Sequence, residues 1–132
     1  MLYIGHFSFD EIGLALEIRH GYFTSLVDAD NIERAVTEFK ELILSMKKME
    51  DTFQRIVAVY LEDIIEFQQL PEKAIVTRIQ SSAGEFPKSI THSLPGVASP
   101  GINTYGLEAD VRASEDQLTT DEFKESKPFI KF

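Results

Sequence analysis

Apolar residues recur at steps of three and four from Asn31 to Met49. Ile32, Ala35, Val36, Phe39, Leu42, Ile43 and Met46 form one continuous stripe, while Arg34, Glu38, Lys40, Glu41 and Lys48 fall mainly off it. No Gly or Pro interrupts the run. Glu33 in the first turn and Lys47 and Lys48 in the last complement the helix dipole. Asp30 stands at the N-cap position with Glu33 three residues on, a capping-box spacing. The pattern predicts a long amphipathic helix.

Upstream the period changes to two. Tyr3, Gly5, Phe7 and Phe9 share one face of a strand from Leu2 to Phe9, and Leu2, Ile4, His6 and Ser8 share the other. A connection over Asp10 to Leu16, containing Gly13, leads to a second strand from about Glu17 to Asp28, bulged or broken near Gly21. The short connection implies antiparallel pairing.

After the helix, Arg55 to Leu61 is apolar on both faces, the mark of a central strand covered on both sides. Glu62 and Asp63 read as a turn or bulge, beyond which Ile64 to Gln69 continues the strand or forms a short helix. Pro71 closes the element, and Ala74 to Ser81 is a further strand that makes a second hairpin. From Gly84 to Thr104, Pro87, Pro95 and Pro100 with interspersed Gly and Ser abolish the periodicity, so a long loop is expected. Tyr105 to Arg112 is a candidate strand and Ser114 to Lys124 a short acidic helix. The segment Pro128 to Phe132 is apolar enough to dock.

The expected fold is therefore α+β. An antiparallel sheet of four to five strands in β-β-α-β-β order carries one long helix on one face, followed by an irregular C-terminal arm. Residues 1–83 form the core and 84–132 the arm, which packs on the core or on a partner.

One helix covers one face of such a sheet, yet the third strand is apolar on both. Leaving two or three large apolar side chains exposed forfeits about 1.5–3 kcal/mol each, against a total stability of about 5–15 kcal/mol. The arm, a second copy or another protein must cover the remaining face. A homodimer is the expectation, with a monomer closed by its own C-terminal third as the alternative.

Composition narrows the classes. Hydrophobic residues make up 43% of the chain, with ten Phe and four Tyr, which suits a single folded domain of 132 residues. There is no Cys, so disulfides and cysteine zinc sites are excluded. Neither a signal pattern nor an apolar run of membrane-spanning length is found, and a soluble cytoplasmic protein is expected. The net charge of −9, spread along the chain, opposes nucleic-acid phosphates and anionic membranes and permits a basic protein partner.

Candidate chemistry is sparse. Strand pairing brings His6 and His20 together, and with Tyr22 they are the candidate ligand-binding residues. No histidine spacing suits a metal, so no metal is expected. Asp28-Ala-Asp30-Asn31 opens like a calcium loop, but Ile32 occupies the next ligand position. Glu62, Asp63 and Glu66 read as a solvated acidic turn. Tyr22 and Phe23 lack basic neighbours and read as packing residues rather than a base-stacking platform. No nucleophile elbow, Walker loop or dinucleotide fingerprint occurs, so no catalytic residue and no cofactor are assigned.

Gly21-Tyr22-Phe23-Thr24-Ser25-Leu26-Val27-Asp28 followed by Ile32-Glu33-Arg34-Ala35 resembles the strand-then-helix core of HicB-type antitoxins. The resemblance covers under a fifth of the chain. The family's Pro- and Gly-bearing segment between strand and helix is missing, and no residue role is carried over.

The expected function is a non-enzymatic interaction or regulatory module, homodimeric, using a sheet face or the 84–104 segment. An acidic inhibitor or immunity-like protein for a basic toxin or nuclease is its specific form. The alternative is a small enzyme or ligand-binding protein with a pocket between sheet and arm, lined by His6, His20 and Tyr22.

Overall fold

The computed structural model describes residues 1–49, 51–82, 89–93, 101–106 and 128–132. Two strands, β1 (Leu2–Ile12) and β2 (Ile18–Asp28), precede the helix α1 (Ile32–Met49) and a single 3-10 turn at Asp51–Phe53. Then follow β3 (Ile56–Phe67), β4 (Arg78–Ser82), β5 (Ser89–Ser93), β6 (Ile102–Gly106) and β7 (Ile130–Lys131). The main sheet runs β2-β1-β3-β6, with β7 joining β3 further along the same edge. All pairings are antiparallel. This is the expected α+β layout, with α1 following the first two strands.

The helix forms where the stripe placed it, but its cap lies one residue later than expected. Asn31 Oδ1 accepts from the Arg34 amide (2.8 Å), and the Asn31 carbonyl takes the first helical bond, from Ala35. Asn31, not Asp30, is therefore the N-cap. Ala35, Phe39 and Ile43 are the buried face, packed with Tyr3, Phe7, Val59 and Ile64 of the sheet.

Phe7 is the hub of this core. Its ring stacks on Phe23 (centroids 4.9 Å apart) and meets Phe39 edge-on (5.5 Å) and Phe129 obliquely (5.7 Å). The C-terminal segment thus closes the core. Phe129 and Phe132 bond through their amides to the carbonyls of Val59 and Val57 (2.7 and 2.8 Å), beneath the ammonium groups of Lys40 and Lys47.

β1 and β2 pair one-to-one from Leu2–Asp28 to Ile12–Ile18. The bulge expected near Gly21 is therefore absent. Gly21 sits opposite Phe9, whose ring lies across it and leaves no room for a Cβ. The glycine is there to admit that ring.

The hairpin closes with a hydrogen bond from the Leu16 amide to the Gly13 carbonyl (3.0 Å) and one from the Gly13 amide to the Glu17 carbonyl (2.8 Å). This is a three-residue loop whose last residue needs the left-handed conformation. Leu16 occupies it with φ of +62°. A non-glycine residue there costs about 1–2 kcal/mol, and the extra freedom of an unfolded glycine returns about 0.4–1 kcal/mol of that. Leu16→Gly is therefore expected to stabilise the fold by about 0.5–1 kcal/mol, read as a higher urea midpoint. A lower midpoint would show that Leu16 makes contacts worth more than the strain.

β3 is central, as its two apolar faces required. The acidic pair marks a bulge: His6 aligns with Asp63 and Phe7 with Leu61, leaving Glu62 as the extra residue, and the strand continues to Phe67. The second hairpin differs from expectation. β4 pairs with β5 in a separate two-stranded sheet, and the outer neighbours of β3 are β6 and β7. The expected loop 84–104 thus holds β5 and the start of β6; of the strand expected over 105–112, Tyr105 and Gly106 fall in β6 and 107–112 lie outside the described residues. The expected helix 114–124 lies outside the described residues.

Candidate functional site

The face of the sheet away from α1 carries His6, Ser8 and Asp10 on β1, with Thr24, Tyr22 and His20 opposite them on β2 and Asp63, Tyr60 and Ala58 opposite them on β3. Strict alternation does this, so the register brings His6, His20 and Tyr22 to one face. Each of them is engaged by neighbours of its own.

His6 Nδ1 and Asp63 Oδ1 share a hydrogen bond of 2.6 Å, and both residues are 1% exposed. Ser8 Oγ donates to Glu62 Oε1 (2.6 Å), which the bulge has brought alongside. His20 Nδ1 bonds Asp10 Oδ1, and Tyr60 OH donates to the other oxygen of the same carboxylate (3.1 Å). Burial, and then the neighbouring Asp10 carboxylate, raise the Tyr60 hydroxyl above its ordinary range. The Arg78 guanidinium of β4 lies over the Tyr22 ring at 4.9 Å, so this part of the face is covered by the chain itself. Ile65 and Phe67, further along the same face of β3, are buried as well. The apolar residues of β3 on this face are thus covered within one chain, while Ile18 and Leu26 of β2 on the same face stay exposed.

Asp63 and Glu66 correct the expectation of a solvated acidic turn. Both are buried, and they point to opposite faces of β3. On the helix side, Glu66 accepts from Asn103 Nδ2 (2.9 Å), Tyr3 OH (2.7 Å) and Tyr105 OH (3.4 Å). The Asn103 and Tyr3 bonds hold its carboxyl below the usual range, against burial, which acts the other way. Burial pushes the Tyr3 hydroxyl well above its ordinary value, with Glu66 adding to it. Neutral donors, not a cation, satisfy this carboxylate. It locks β1, β3 and β6 together.

Two concavities among the described residues lie elsewhere. One, of about 320 Å³, is lined by Gln69, Leu70, Pro71, Glu72, Lys73 and neighbouring residues. The other, of about 280 Å³, sits at the tip of the first hairpin between Glu11, Leu14, Arg19 and Arg55. Neither includes His6, His20 or Tyr22. Among the described residues no group of three or more His, Asp or Glu side chains is placed to hold a metal ion, and no helix is long and apolar enough to cross a membrane.

What the sequence reading passed over is the outer edge of β2. β2 ends the sheet order, and no described strand pairs with its far side. Glu17 and Ala29, the residues flanking β2, hydrogen-bond to β1-side residues Gly13 and Met1. With the unbroken register, the odd-numbered residues of β2 then face β1 through their backbone groups, and Ile18, His20, Tyr22, Thr24, Leu26 and Asp28 direct theirs outward. On this edge Ile18 is 67% and Leu26 68% exposed, and at the adjoining tip Leu14 is 85% and Leu16 82% exposed. Apolar residues inside a turn were the legible signal.

Comparison with known proteins finds no matching family model, no matching curated protein and no matching solved structure.

Proposed function

We propose that the protein is a non-enzymatic interaction module that docks by adding a strand to the outer edge of β2. One observation carries this reading. An eleven-residue strand without Pro, Lys or bulge ends the sheet order, and no described strand pairs with its outer side. Edge strands of that length are ordinarily blunted by such devices because they recruit other chains. Here the edge is instead flanked by exposed Ile18, Leu26, Leu14 and Leu16. The His–Asp pairs support the same reading from the other side. His6 with Asp63 and His20 with Asp10 bridge neighbouring strands of the sheet and act as cross-links there.

The acidity of the chain, net −9, favours a basic protein surface over nucleic acid or anionic membrane wherever it meets another molecule, and such contacts weaken as salt rises. The absence of Cys fits the reducing cytoplasm.

A synthetic peptide of residues 18–28 is the probe. It is expected to bind the full chain by fluorescence anisotropy, and the same peptide with Thr24→Pro, which lacks one edge donor, to bind about tenfold more weakly. Absence of binding, or equal binding of both peptides, would overturn the docking reading.

A further inference from the structure

We infer that the groove between β3 and α1 is a strand-addition site for an extended peptide of another protein with the pattern aromatic-apolar-x-aromatic, and that the chain's own residues 128–132 occupy it as an intramolecular competitor. The site is built from β3 and α1, so it stands or falls independently of the β2 edge. What the groove recognises is visible in its occupant. Phe129 and Phe132 donate their amides to the carbonyls of Val59 and Val57 (2.7 and 2.8 Å), and Ile130 and Lys131 pair with Val59 and Ala58. Any extended backbone can make these bonds, so they give affinity without choosing a sequence. The side chains choose. Phe129 reaches the buried Phe7 ring, Ile130 packs on the same core, Lys131 is exposed, and Phe132 lies half-covered under Lys47.

The helix sets the spacing. Lys40 and Lys47 stand two turns apart on one side of α1, about 10.5 Å along its axis. Three residues of strand advance about 10 Å. Each ammonium therefore meets one ring of the pair, Lys40 at 4.9 Å from the Phe129 centroid and Lys47 at 4.7 Å from that of Phe132. Lys47 is held in place by the chain rather than by the occupant, because its Nζ donates to the carbonyls of Gln54 (2.5 Å) and Ile56 (2.7 Å). The occupant itself has a small hold. β7 is two residues long, and Pro128, Lys131 and Phe132 are exposed. An incoming strand of the same pattern replaces it bond for bond, leaving Phe7 covered and the β3 carbonyls satisfied.

The probe is an acetylated peptide of residues 128–132, titrated into the isotope-labelled full chain and followed by amide chemical shifts. With the Phe129→Ala, Phe132→Ala chain it is expected to shift the amides of Lys40, Lys47, Val57 and Val59. The wild-type chain is expected to need at least about tenfold more peptide for the same shift, because only the fraction with its own segment released can bind. Phe132→Ala alone removes a 39% exposed side chain and leaves the core closed, so it is expected to fall between the two. It gives the same comparison with wild type if the double substitution costs the fold. Lys40→Glu, at an exposed helix position, is expected to weaken binding to the substituted chain several-fold. A peptide with both Phe replaced by Ala is expected not to bind. No shift in either Ala-substituted chain, shifts away from the groove, or equal titration of wild-type and substituted chains overturns the inference.

Discussion

Phe7→Ala is expected to be the most damaging single truncation in the chain, costing about 3–5 kcal/mol in urea unfolding followed by circular dichroism. Against a total of about 5–15 kcal/mol, that leaves a marginal fold. Phe7 has no exposed surface, and its ring touches Phe23 on β2, Phe39 on α1 and Phe129 in the C-terminal segment. One truncation therefore opens a cavity where the sheet, the helix and the closing segment meet, and rigid β-strands on two sides limit its collapse. Phe7→Leu keeps most of the volume and is expected to cost less than half as much. Phe129→Ala made in the Phe7→Ala background should cost less than it does alone, because the contact it removes is already gone. A loss below about 1 kcal/mol for Phe7→Ala would mean that the aromatic cluster does not bind the three elements together.

The second large effect concerns the polar pair inside the sheet. Asp63→Ala is expected to cost about 3 kcal/mol, the upper end for stranding a buried polar group. His6 and Asp63 are almost wholly buried and bonded at 2.6 Å. Without the carboxylate the imidazole stays in a covered site with one ring nitrogen deprived of its partner. Asp63→Asn retains a hydrogen-bonding group of the same shape and is expected to cost less. In a double-mutant cycle with His6→Ala, the two losses should sum to more than the double variant shows, by about 1 kcal/mol or more. Additive losses would mean that the two side chains are neighbours without being coupled.

The fold was legible in the sequence wherever its signal was local. The stripe from Ile32 to Met46 located the helix, and the alternation in residues 2–9 and 22–27 located the first hairpin. Even the bulge at Glu62 announced itself as a charged pair in an apolar strand. Asn31 was missed as the cap because Asp30 and Asn31 are equally good capping residues, and the backbone, not the residue type, chose between them. What joins to β3 was not legible. Its partners β6 and β7 come from Ile102–Gly106 and Ile130–Lys131, and no local pattern says that these, rather than the nearer β4, complete the sheet.

The candidate site shows the same division. Period-two alternation was enough to place His6, Tyr22 and His20 on one face. The burial of Asp63 depended on a partner 57 residues away, and that of Glu66 on Tyr3, Asn103 and Tyr105. Charged residues beside each other in sequence look solvated until the strands that flank them are known. The edge of β2 was readable in part. Leu14 and Leu16 stand in a turn where polar residues belong, and an apolar side chain held at positive φ in the open has a cost that the fold alone does not explain. The structure thus moves the interest from the broad face of the sheet, which the chain largely covers itself, to its outer strand.

Sedimentation equilibrium of the wild-type chain at low micromolar concentration tests the central claim most directly. Docking at the β2 edge by a second copy, the homodimer expected from the sequence, predicts a species of twice the 15.0 kDa chain mass, reverting to the single-chain mass when the exposed Ile18 and Leu26 are both replaced by Lys. A wild-type chain that stays at 15.0 kDa across the concentration range would contradict it.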